Sequence, residues 1–446
     1  MINKIIATYF LQLARHYQDK VLSKLGTPSP KIQAYNEAVV IFCYRWAIKL
    51  NPNFPEAHCQ LGALLAKQKK WQEAAANFRQ AIKKAHPYPF SSYFNLGRML
   101  LKLQKFEEGI PFFRSALELK PYHLWSRIYL GDALSGASKI YEAIQTYQSA
   151  LESKSNNPRS CIHLGDALTE VGEISEAIRA YQSALCKKIS KTHPHFKPQL
   201  QNAQQLSVPN FLIIGQGKCG TTSLYHYLTQ HPQILPALIK ELNFWDNKSN
   251  FARGLDWYLA NFIPIYKGQK FITGEASPTY LYFSEPQQIF QVFPEMKLII
   301  LLRNPIDRTI SAYHMFVRQG RENRPLKKAI FSELKTITQQ RQVKFNHLSY
   351  LRRAMYIYEI SRWMKIFPKE QFLILKSEDF FATPGSITKQ VFQFLGVEPY
   401  QLQDYPKQNS GNYPPISQSM RRILSDYFRP YNQQLEEYLD RKFNWD

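Results

Sequence analysis

Phe211-Leu212-Ile213-Ile214-Gly215-Gln216-Gly217-Lys218-Cys219-Gly220-Thr221-Thr222-Ser223 is the stretch on which the fold of the second half of this chain turns. Four apolar residues follow Pro209 and Asn210, which predicts a short buried strand. Gly215 stops it, and a glycine-rich turn follows. After Thr221, the residues Leu224, Tyr227 and Leu228 take helical spacing, and His231-Pro232 ends the helix. A strand, tight loop and helix in this order aim backbone N–H groups and the positive helix end at one point, where an anion sits. Gly217 and Gly220 permit close approach, Lys218 adds a full charge, and Thr221, Thr222 and Ser223 supply hydroxyl donors.

The design occurs twice. Lys297-Leu298-Ile299-Ile300-Leu301-Leu302 predicts a second buried strand, followed by Arg303, by Asn304 as helix N-cap and by Pro305 as first helical residue. Ser311 lies two turns into that helix, and Arg308 reads as a surface cation. Two phosphate cradles on parallel strands, about 80 residues apart, suit a bisphosphorylated nucleotide better than a triphosphate. A Walker A loop places Lys directly after its second Gly, whereas Lys218 precedes Gly220 by two residues, which argues against a P-loop kinase or NTPase. The first loop resembles the 5′-phosphosulfate loop of the sulfotransferase family. Arg303 and Ser311 fall where that family binds the 3′-phosphate of its donor, 3′-phosphoadenosine-5′-phosphosulfate (PAPS).

The resemblance extends to the acceptor side. Lys240-Glu241-Leu242-Asn243-Phe244-Trp245 looks like the Glu-x-x-Phe-Phe stretch of glycan and heparan sulfate sulfotransferases, which carries the catalytic carboxylate. It implies that Glu241 takes the proton of the acceptor hydroxyl, with Lys218 stabilising the leaving phosphate. Several relatives have His where this chain has Asn243, so Glu241 acts alone or with help from His226 or His231. Gly274 to Tyr280 resembles an acceptor-side segment in which Ser277 and Tyr280 are candidate substrate contacts, and Lys240 beside Glu241 is a third. Ser410-Gly411-Asn412-Tyr413 stands where relatives carry a Lys-Gly loop over the donor; the pair is absent, although Lys407 is near. The run from Tyr356 through Trp363 and Phe367 to Leu373–Phe380 resembles the closing strand and helices of the family. The resemblance implies no metal. The implied acceptor is a glycan or polysaccharide hydroxyl, with a protein tyrosine as the alternative.

The first half is periodic. Leu-Gly recurs at 61–62, 96–97, 130–131 and 164–165, with Phe78, Phe113, Tyr147 and Tyr181, then Ala81, Ala116, Ala150 and Ala184, in the same frame. A 34-residue period with these three positions is the tetratricopeptide (TPR) signature, two helices per repeat. Residues 35–50 read as the second helix of a less regular repeat, and 3–24 as a capping helix. Such arrays present a concave surface for a protein partner. The expectation is therefore a multidomain chain: an all-α TPR superhelix over 1–190, a polar linker over 191–208, and an α/β domain with a central parallel sheet over 209–446.

The formal net charge is +23 over 446 residues, with 12 basic against 3 acidic residues between Arg303 and Arg353. That excess fits an anionic ligand; the cradles favour a nucleotide and a glycan over nucleic acid. Five scattered cysteines with no CxxC pair suggest neither a disulfide framework nor zinc. The N-terminus lacks the continuous apolar core of a signal peptide, and no apolar run is long enough to cross a bilayer, so a cytoplasmic setting is expected.

Overall fold

A computed structural model of the chain describes residues 2–23, 30–84, 89–152, 157–196, 208–265, 270–339, 349–408, 411 and 413–445. They form two compact units, Met1–Ala180 and Tyr181–Asp446. Of the expected linker, residues 197–207 lie outside the described residues.

The first unit is built from helices in consecutive antiparallel pairs: α1 (Ile2–Ser23), α2 (Pro30–Leu50), α3 (Pro55–Lys67), α4 (Trp71–Lys83), α5 (Pro89–Lys102), α6 (Phe106–Leu119), α7 (Leu124–Gly136), α8 (Ile140–Glu152), α9 (Pro158–Glu170) and the start of α10 (Ile174–Thr192). The repeat residues make the pairing possible. Phe78, Phe113 and Tyr147 are fully buried, and each ring lies over the glycine of its own repeat. A Cβ added at Gly131 would stand 2.3 Å from the Tyr147 ring, and one at Gly97 would stand 2.7 Å from Phe113. The Tyr147 hydroxyl donates to Asp132 at 2.8 Å, which locks α8 against α7.

In the second unit a five-stranded sheet runs in the order β2-β3-β1-β4-β5, all parallel. Its strands are β1 (Phe211–Gly215), β2 (Ile234–Pro236), β3 (Ile272–Ala276), β4 (Lys297–Leu302) and β5 (Phe372–Lys376). Both faces of β1 and β4 are buried, as parallel sheets require, which is why these strands read as unbroken apolar runs. After β1 the chain moves to β2 and β3 on one side of it; β4 and β5 lie on the other. The C-terminal ends of β1 and β4 therefore flank a topological switch point, where open α/β sheets bind ligands.

The division between the units falls within α10, and the helix continues to Thr192. Lys188 on it is largely buried and donates to the carbonyls of Ala237 at 2.6 Å and Leu238 at 2.9 Å. Residues 181–196 thus belong to the second unit structurally, with Phe196 packed edge-on to Phe271 at 4.7 Å.

Two outcomes follow. Gly131→Ala should destabilise the array by about 1–3 kcal/mol in denaturant titration, because the Tyr147 ring must move. Burial holds the Lys188 ammonium at about 8, below its ordinary 10.5. The unfolded chain then binds the extra proton between those values, so stability rises with pH across that window, by at most about 3 kcal/mol. Comparison with Lys188→Met at about pH 7.5 and about pH 9.5 checks this: the rise should be absent in the variant.

Candidate active site

The loops that leave β1, β3, β4 and β5 surround one cavity of about 540 Å³ at the C-terminal edge of the sheet. On its wall the structure brings together Gly217, Lys218, Gly220, Thr221 and Thr222 from the first loop, Arg303 and Ser311 from the second, and Glu241.

The first loop takes its shape from its sequence. Gly220 caps helix α11 (Thr221–Leu228) with φ +101°, a conformation that favours glycine, and an added Cβ there would meet Phe381 at 2.9 Å. Lys218 itself has φ +77°. Gln216 is buried and accepts from the Gly217 N–H at 2.6 Å, while its amide donates to the Tyr282 hydroxyl and the Arg353 carbonyl. Ser377 donates to the Cys219 carbonyl. These contacts spend the outward-facing groups of the turn on protein partners and fix its remaining amides. Gln216 and Ser377 carry no signal in the sequence alone, because their partners lie on distant segments.

The second cradle is built as expected at its N-cap. The Asn304 side chain accepts from Ile306 N at 2.9 Å and Asp307 N at 3.3 Å, which opens the helix Pro305–Arg318. Glu378 accepts from Asn304 N at 2.8 Å, and Tyr356 donates to the Arg303 carbonyl at 2.8 Å. Arg303 also reaches back to the Lys218 carbonyl at 3.4 Å, which ties the two cradles together.

Arg308 overturns the surface reading. It is buried, lines the cavity, and donates to the Gly217 carbonyl at 3.3 Å and the Tyr350 carbonyl at 2.9 Å. Its place on the inner face of the helix, one turn before Ser311, explains this. Burial pushes the Lys218 ammonium below the usual lysine value, and Arg318, Arg308 and Arg303 push it in the same direction. Five cations line the cavity (Lys218, Arg303, Arg308, Arg353, Lys407) against Glu241, Asp307 and Glu378. Of these acids, Asp307 is paired with Arg421 and Glu378 accepts from Asn304 and Trp445. The remaining field is positive, as a multiply charged anion needs.

Other expected residues go elsewhere. Ser223 is buried below the loop, and its hydroxyl accepts from Gln408 N at 2.9 Å. Lys407, Gln408, Gly411 and Tyr413 do reach the cavity, while Ser410 and Asn412 lie outside the described residues. Ser277 and Tyr280, expected to touch the acceptor, turn inward instead: both are buried and donate to Glu275. Lys240 forms an ion pair with Glu241, whose side chain is 47% exposed at the rim. Neither histidine helps Glu241. His226 is exposed on α11, and His231 is buried, accepting from Gln233 N and facing the Glu398 carbonyl at 2.8 Å. Asn243 is held by Thr279, whose hydroxyl donates to its side-chain oxygen at 3.2 Å.

Residues 208–413 match the sulfotransferase domain, and residues 43–89 and 59–123 match tetratricopeptide repeats. Heparan sulfate glucosamine 3-O-sulfotransferase 5 of Mus musculus is 30% identical over 265 residues, covering 54% of this chain and 75% of that protein. The chain belongs to the sulfotransferase family. The membrane-associated sulfotransferase kil1 of Dictyostelium discoideum is 26% identical, over 58% of this chain and 71% of its own length. The crystal structure of a sulfotransferase from Alicyclobacillus acidocaldarius aligns with a TM-score of 0.46 at 30% identity, covering 54% of this chain and 99% of that one.

The chain is therefore a sulfotransferase with TPR repeats, and the family implies PAPS as donor. The cavity fits that molecule: the amides that open helix α11 and a lysine on one side, an arginine and a serine on the other, and an excess of positive charge. No helix among the described residues is long and apolar enough to cross a membrane. Arg308→Met should weaken binding of adenosine 3′,5′-bisphosphate by about 10-fold or more, because it removes a charge and frees the Gly217 carbonyl; calorimetric titration measures it.

Proposed function

We propose that this sulfotransferase moves the sulfuryl group of PAPS to a hydroxyl of an anionic glycan, with Glu241 as the base. One observation carries the reading: Glu241 opens onto the same cavity as both phosphate cradles, at its exposed rim, where an external hydroxyl can reach it. Glycan chemistry is supported by the similarity to a heparan sulfate sulfotransferase and by the cationic wall.

The residues divide the work. Arg303 and Ser311 hold the 3′-phosphate and so orient the donor. The N–H groups of Gly220, Thr221 and Thr222 take the 5′ side, and the Thr221 and Thr222 hydroxyls and Lys218 complete it. As the acceptor oxygen attacks sulfur, its proton passes to a Glu241 carboxylate oxygen. The bond from sulfur to the bridging phosphate oxygen breaks, and Lys218 with the loop amides stabilises the negative charge left there. Lys240, paired with Glu241, adds a cation at the rim within reach of an anionic acceptor. The TPR array is assigned the recognition of a protein partner. All five cysteines are free thiols, which supports a reducing, cytoplasmic setting.

Transfer of labelled sulfate from PAPS to heparan sulfate, with a tyrosine-containing acidic peptide as the competing acceptor, tests this. Sulfation of the polysaccharide is expected, and Lys218→Ala and Glu241→Gln should each lower turnover on the order of 100-fold or more. Label on the peptide with none on carbohydrate overturns the glycan reading, and near-normal turnover in Glu241→Gln removes the base.

A further inference from the structure

The segment that carries Glu241 has no regular structure of its own, yet it is held at four consecutive points. The Ala276 N–H donates to the Lys240 carbonyl at 3.1 Å. The next three amides, those of Leu242, Asn243 and Phe244, all point inward. Leu242 N donates to Glu275 Oε2 at 3.2 Å, Asn243 N to the Ser277 hydroxyl at 3.3 Å, and Phe244 N to the Tyr280 hydroxyl at 2.9 Å. Those two hydroxyls donate in turn to Glu275, Ser277 to Oε2 at 2.7 Å and Tyr280 to Oε1 at 2.8 Å.

Glu275 is the hub. It sits at the end of β3 with no solvent exposure, and a fourth donor, the Tyr258 hydroxyl, reaches Oε1 at 2.9 Å. A carboxylate with two oxygens can accept from all four at once. The Ser277 and Tyr280 hydroxyls are left with their lone pairs toward the amides behind them. One buried acid thereby sets the direction of three successive peptide N–H groups. With those amides turned in, and with Asn243 at φ +49° turning the chain, the side chain before them faces the cavity.

We propose that Glu275 is the positioning residue for Glu241: through Leu242 directly, and through Ser277 and Tyr280 by relay, it fixes the backbone that presents the base to the acceptor. This rests on the reading of Glu241 as the base. Glu275 touches neither donor nor acceptor, and none of its four partners lies on the phosphate loops. Its loss is therefore expected to spare donor binding.

The two phenols make the test specific. Tyr280 relays to a segment amide and Tyr258 relays to none, although both donate to Oε1. In the full chain, Glu275→Gln should lower kcat with heparan sulfate by about 10-fold or more, with the Kd for adenosine 3′,5′-bisphosphate unchanged. Hydrogen exchange of the Leu242–Phe244 amides should quicken by about 10-fold or more, while that of β1 and β4 stays as in wild type. Tyr280→Phe should reproduce both effects in part and Tyr258→Phe should not, which keeps the proposal testable if Glu275→Gln folds poorly. In a Glu241→Gln background, Glu275→Gln should cost nothing further in kcat.

Unchanged exchange at Leu242–Phe244, a matched loss of donor affinity, equal effects of the two phenol variants, or an additional kcat loss in the double variant each overturns it. Full activity of Glu241→Gln alone would instead overturn the base assignment, and the exchange measurement would still decide whether Glu275 holds the segment.

Discussion

Lys218 stands close enough to Arg303, Arg308 and Arg318 that each of the three guanidinium groups pushes the lysine ammonium toward its neutral form. The protein tolerates this repulsion because it spends backbone carbonyls on it: Gly217 and Lys218 turn their oxygens to Arg308 and Arg303. The same bonds occupy those two carbonyls, while the amides of Gly220, Thr221 and Thr222 open the helix toward the ligand. A multiply charged anion then relieves the repulsion and satisfies the amides together. The crowding of cations is thus a demand for ligand charge, and it explains why the loop, the strand order and the buried arginines form one device.

The sheet supplies the constraint that makes the crowding possible. Because β1 and β4 are neighbours and parallel, both strand-to-helix turns emerge at the same edge, and the chain's departure in opposite directions leaves the crevice between them open. β3 and β5 end at that edge as well. They deliver Pro278–Thr279 to one wall of the cavity and Ser377–Glu378 beneath the phosphate loops. A site drawn from residues 216 to 413 is local in space only because every strand end points one way.

Much of this was legible in the sequence, and the reason is physical. The strands β1 and β4 are buried on both faces and read as apolar runs; the Asn304-Pro305 N-cap is a local signal; the repeat period is a count. What escaped depends on partners distant in sequence. Arg308 on an isolated helix looks like any surface cation, and only the packing of Pro305–Arg318 against residues 350–355 and the helix Gln418–Leu439 turns it to Gly217. Ser277 and Tyr280 have the chemistry of substrate contacts, and only the burial of Glu275 between them claims their hydroxyls. β2, three residues long, lacks a local mark strong enough to announce it.

The two sides of the cavity differ in how they are held, and this difference bears on specificity. The donor side is made of buried groups bonded to one another, with Gln216, Ser377 and Arg308 beneath the loop. The acceptor side ends in Lys240 and Glu241 at the rim, facing solvent, with a single buried acid behind them. Rigid, desolvated contacts select one nucleotide sharply, because a missing phosphate leaves buried charge unpaired. With Glu241 as the proposed base, an exposed carboxylate on a pinned backbone imposes a direction of attack and little else. Acceptor choice then falls to the cationic surroundings of the mouth, which read charge over a distance and not the identity of one hydroxyl. A chain of anionic sugars, the proposed acceptor, meets that requirement along its length.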